Sequence, residues 1–172
     1  MLRAETWSIF LNDPTLKLNP TTAIKLGVNG VHVRNSYLYF ENTFQSPLLA
    51  RAPYHTRNAT AAGPVEVDIE SATFPWNEGR GQADDFAFDR AGNVWLSSAS
   101  PSVVKLDLKK KTQTLVAGGP DDPVLVGSKF AIFGRTKRDQ EVLYVTTNGA
   151  ISDSSVAGLT GGQVVALNTK WL

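Results

Sequence analysis

At 172 residues, with 42% hydrophobic and 19% charged side chains, the chain has the make-up of a folded globular domain with a sizeable core. A formal charge of +1 argues against a nucleic-acid partner. Zero cysteines exclude disulfides, thiolate catalysis and cysteine-based zinc sites while leaving the compartment open, and no apolar run approaches the roughly 18 residues of a membrane span.

In chain order, Thr6-Trp7-Ser8-Ile9-Phe10-Leu11 reads as an orphan outermost strand (residues 6–11). Asp13-Pro14 cuts this stretch too short for the apolar segment of a signal peptide. A first unit, about 28–70, offers strands at Val31–Arg34, Tyr37–Glu41, Leu48–Tyr54 and Val65–Glu70. The long link after it carries Phe74, Trp76 and Arg80, placed either at a channel mouth or in packing between units. Gly79-Arg80-Gly81-Gln82 within it lacks the strand-to-helix setting of a phosphate loop.

The middle unit, about 84–117, is the cleanest: Phe86–Asp89, Asn93–Ser98, Val103–Leu108 and Thr112–Ala117, joined by turn-sized links with glycine or proline where a turn needs them. Lys105 with Lys109, Lys110 and Lys111 reads as a solvated hairpin turn rather than a nucleic-acid contact. The last unit, about 128–168, offers Phe130–Phe133, Glu141–Thr147 and Gln163–Asn168, with no fourth strand.

The three units open on one phrase. Asn29-Gly30-Val31-His32-Val33 precedes Leu38-Tyr39-Phe40; Asp84-Asp85-Phe86-Ala87-Phe88 precedes Val94-Trp95-Leu96; Ser128-Lys129-Phe130-Ala131-Ile132 precedes Leu143-Tyr144-Val145. A repeated unit of four antiparallel strands is a propeller blade. The expected fold is therefore all-β: a partial β-propeller of about three blades, with one domain spanning the chain. Closed propellers have about four to eight blades, so the chain reads as the C-terminal half of a larger ring. Open blade edges make self-association a second expectation, up to a dimer that closes the ring.

In such an array Asn29, Asp84 and Ser128, each opening its phrase with a side-chain oxygen, converge on one axis. A carboxylate and an amide carbonyl suit a hard cation. The blander alternatives stay open: a plain turn at Asn29-Gly30, a capped strand entrance at Asp84 and Asp85, and local bonding at Ser128. His32, between Val31 and Val33, is expected to pack or face the channel rather than bind metal, and His55 to be exposed. Asn58-Ala59-Thr60 matches a glycosylation sequon, of use only in a secreted protein.

The Asn29-Gly30 phrase resembles the gluconolactonase and strictosidine-synthase-like superfamily of six-bladed propellers, its fungal branch in particular. So do Asp84-x-x-x-x-Asp89-x-x-Gly92-x-x-Trp95, then Phe133-Gly134-Arg135-Thr136 with Leu143-Tyr144-Val145-Thr146-Thr147. The resemblance implies a divalent cation, most often calcium, held by a Glu, an Asn and an Asp. The Asn falls on Asn29 and the Asp on Asp84, while the Glu belongs to a blade outside this chain. Asp84-Asp85 departs from the usual Asp-Gly pair.

The function this resemblance implies is half of a metal-dependent lactonase-like hydrolase that opens a sugar or related lactone, inactive alone. Asp84 or Asp85 would take the proton from the attacking water. A non-hydrolytic secondary-metabolite protein using the channel as a shaped pocket for cyclisation is the alternative, and a propeller binding module the third.

Overall fold

A computed structural model describes residues 8–18, 20–21, 25–43, 47–71, 83–120, 122–149 and 161–172. These residues form three antiparallel sheets, the blades of a partial all-β propeller. The first holds β1 (Val28–Arg34), β2 (Tyr37–Asn42), β3 (Leu49–His55) and β5 (Glu66–Ile69), with the two-residue β4 (Thr60–Ala61) added to the far end of β3. The second runs β6 (Ala83–Phe88), β7 (Val94–Ser98), β8 (Ser102–Asp107) and β9 (Thr112–Gly118). The third has only β10 (Ser128–Phe133), β11 (Val142–Thr147) and β12 (Gln163–Asn168).

The blades stack through their first strands, with β6 in contact with β1 on one side and β10 on the other. Side-chain alternation along β7 decides what fills the two gaps. Val94 and Leu96 join Tyr39, Leu49, Phe86 and Leu106 between the first and second blades. Trp95 points the opposite way and joins Ala131, Leu143 and Val145 between the second and third. Every residue of β7 is buried, and each large apolar side chain so placed contributes about 1.5–3 kcal/mol. The two outward faces stay open: Val31 and Val33 are 50% and 59% exposed on one, and Val164 is 71% exposed on the other.

The phrase around Trp95 is a fastener within its blade. Asp89 Oδ1 accepts from Asn93 N at 2.8 Å, and its Oδ2 accepts from Asn93 Nδ2 at 2.7 Å and Trp95 Nε1 at 3.1 Å. Gly92 takes the left-handed turn conformation, φ 93°, that lets the hairpin close. Arg34, ending β1, donates to the carbonyls of Asp89 and Arg90 at 3.0 and 3.1 Å and so staples the first blade to this turn.

Two expectations change. Ser8–Leu11 is not a strand; Thr6 and Trp7 lie outside the described residues. Asp13 instead accepts from Thr15 N at 2.9 Å and starts a short 3-10 turn at Pro14–Leu16, while Phe10 packs edge-on against Tyr54. The first strands also begin earlier than their apolar pattern suggests, at Val28, Ala83 and Ser128, because each carries an interruption near its start. The link bearing Phe74, Trp76 and Arg80 falls outside the described residues. No helix among the described residues is long and apolar enough to cross a membrane.

Candidate functional site

Each first strand slips register once, at the same place. The shift falls between Val28 and Val31 in β1, between Ala83 and Asp85 in β6, and between Ser128 and Phe130 in β10. A bulge adds one residue on one strand of a pair and re-aims the side chains around it. With Val31, Phe86 and Ala131 paired to Phe40, Leu96 and Val145, the equivalent bulge residues are Asn29, Asp84 and Lys129.

Those three meet. Asn29 Nδ2 donates to Asp84 Oδ1 at 3.1 Å, and Lys129 Nζ to Asp84 Oδ2 at 2.5 Å. Asn29 and Asp84 converge as the repeat suggests; Ser128 does not join them. Ser128 is wholly buried and its Oγ donates to the Leu125 carbonyl at 2.7 Å. It stands where the other two blades have Val28 and Ala83, one residue short of the bulge, so its side chain serves the local turn. Matching the phrases on Phe86 and Phe130 hides this, whereas matching the second strands reveals Lys129.

Asp85, next to the bulge, lines the same pocket as Asp84 but bonds to the blades on either side. Its Oδ1 lies 3.1 Å from His32 Nε2, its Oδ2 accepts from Ala131 N at 3.1 Å, and its main-chain carbonyl accepts from Ser97 Oγ at 3.0 Å. One residue thereby links β1, β7 and β10. The carboxylate needs the room that Gly30 leaves: a Cβ there would sit 2.5 Å from Asp85 Oδ1. The His32 ring stands edge-on to Phe86 at 4.6 Å, and its side chain is 27% exposed, so it is packed on one side and partly open to solvent.

Behind the first bulge lies a group that sequence reasoning missed. Glu41 is wholly buried; its Oε1 accepts from Gly30 N at 2.8 Å, and Oε2 has no hydrogen-bond partner among the described residues. Burial pushes its carboxyl up to about 8 against the opposing pull of the Gly30 N–H, and the charges of Asp84 and Asp85 push it the same way as burial. Glu41 is therefore a neutral acid at pH 7. In the sequence it is one polar residue ending an aromatic strand, with nothing to mark it.

A pocket of about 310 Å³ opens over this cluster, lined by Asn29, Gly30, Val31, His32, Asp84, Asp85, Lys129 and Phe130. A divalent cation does not fit the groups as they stand. Both oxygens of Asp84 face hydrogen-bond donors, one of them an ammonium. Calcium wants about six to eight oxygens, and among the described residues no three His, Asp or Glu side chains are placed to hold an ion. What the arrangement offers is a carboxylate-held imidazole beside a cationic amine and an amide.

No protein-family model matches the chain, and no curated protein matches it.

Proposed function

We propose that the chain supplies one wall of a small-molecule site at the channel end of a propeller, and that its chemistry is the opening of a lactone or related cyclic ester. The observation that carries this reading is the His32–Asp85 pair, with its imidazole about a quarter exposed beside a pocket that Lys129 and Asn29 also line. His32 takes a proton from water as that water adds to the ring carbonyl. Asp85 orients the imidazole and stabilises the imidazolium that forms. The Lys129 ammonium lines the same pocket and meets the developing oxyanion, while Asn29 spends its amide N–H groups on Asp84 and Thr43. The ring C–O bond then breaks, and the leaving alkoxide recovers the proton from His32 to give a hydroxy acid.

Asp85 thus acts through His32 rather than as the base itself, and Asp84 holds Lys129 in place. The test is titration of the isotopically labelled chain with an aldonolactone, with ring opening followed by acid release. Amide shifts confined to Asn29–His32 and Lys129–Phe130, abolished in His32→Ala, support the reading. Saturable binding elsewhere on the chain, or turnover untouched in both His32→Ala and Asp85→Asn, removes it.

A second reading has an observation of its own. Val31 and Phe130, 50% and 44% exposed, flank the polar cluster with apolar surface. That suits a largely apolar small molecule held in a shaped pocket without hydrolysis. Saturable binding of an apolar probe at these residues, unchanged in His32→Ala and Asp85→Asn, selects this reading.

A further inference from the structure

We infer that Lys129 is a built-in cation: its ammonium occupies, on the third blade, the position from which an oxygen ligand would reach an ion shared with Asn29 and Asp84, and the channel site works without a divalent metal. Three observations carry the inference. The bulges are structurally equivalent, so Lys129 is the third member of the set by register and not by mere proximity. Its Nζ is on Asp84 Oδ2, the carboxylate an ion would need, and Asn29 donates to the other oxygen. The neighbouring carboxylate is also spoken for, since Asp85 is bonded by His32 and by the Ala131 amide. A divalent ion entering here meets a fixed positive charge at contact distance, and the two carboxylates that line the pocket, Asp84 and Asp85, are both already bonded.

The same geometry gives the amine a task. An ammonium carries three donors, and one is spent on Asp84. Its remaining donors lie at a pocket-lining position, where they offer the fixed positive charge that a metal would otherwise bring to a carbonyl oxygen.

The inference rests on the reading of this cluster as the working end of the molecule. Its test reads metal binding rather than turnover, so the two ideas fail separately. The probe is calcium alone, with manganese as a second ion, against potassium chloride of equal ionic strength. In the intact chain, neither the melting temperature nor the Asp84 carboxyl carbon resonance should move specifically with calcium in the millimolar range. Lys129→Ser, which removes the charge and adds an oxygen, should bind calcium at least about tenfold more tightly than the unaltered chain. Lys129→Arg, which keeps the charge, should remain silent.

A calcium-dependent shift of Asp84 in the unaltered chain overturns the inference. So does a folded Lys129→Ser variant that ignores calcium. If that variant does not fold, the unaltered chain decides by the Asp84 resonance alone.

Discussion

Gly30 and Glu41 face each other across the first hairpin, the glycine amide donating at 2.8 Å to a carboxyl whose second oxygen finds no partner among the described residues. Glu41 is charged in the unfolded chain above its ordinary value near 4.5 but stays neutral in the fold up to about 8. Between those values the folded state holds one more proton than the unfolded state. Stability should therefore fall as pH rises from about 4.5 to about 8, and level off above that, with a slope of up to about 1.4 kcal/mol per pH unit from this residue. Glu41→Gln should flatten that slope and be the more stable form at pH 8. Urea unfolding across the range checks both, and a slope unchanged by the substitution contradicts the assignment.

Gly30→Ala tests close approach rather than charge. The added methyl meets Asp85 Oδ1 at 2.5 Å and the Phe86 ring at 3.3 Å. The expected cost is about 1–3 kcal/mol, with the His32–Asp85 contact broken. Since the nearest clash is with the carboxylate, Gly30→Ala should cost less on an Asp85→Ala background, and a double-mutant cycle measures that coupling.

Asp89 is expected to matter for stability alone. Asp89→Ala releases three donors, among them the Trp95 indole N–H beneath the third blade. Leaving such groups unmet costs about 1–3 kcal/mol. Chemical denaturation should show that loss, while lactone-induced shifts at Asn29 and Lys129 persist. Their disappearance would return the Asp89 phrase to the functional site.

Ser128→Ala separates the two candidates for the third position. It removes one buried hydrogen bond to the Leu125 carbonyl, worth about 1 kcal/mol, and should leave ligand binding unchanged. Lys129→Met should do the reverse, reducing ligand binding far more than stability. Calorimetric binding alongside thermal unfolding of the two variants distinguishes them, and a binding loss confined to Ser128→Ala would restore the serine to the site.

The blades were legible because alternation and turn residues agree through most of the chain. Trp95 and Leu96 face opposite gaps as a two-residue period requires, and among the described residues the third sheet holds the three strands that its apolar pattern marks. The site was legible only in part, for the same reason in reverse. A bulge breaks the period at the one place where the candidate residues gather, so Asn29 and Asp84 could be picked out by their chemistry while Lys129 hid one step beyond Ser128. Glu41 carried no mark at all, since its neutrality comes from burial by residues distant in sequence. Residues 8–11 misled through their aromatic and β-branched content, which says nothing of whether a partner edge is within reach.

Because a single carboxylate takes the His32 ring on one oxygen and the Ala131 amide on the other, a tug on the imidazole is felt at a backbone proton in a separate sheet. Solvent hydrogen exchange at Ala131 should therefore slow or quicken when a guest engages His32, even if the guest never touches that strand. The cohesion of the three sheets and the occupancy of the channel become one measurable quantity.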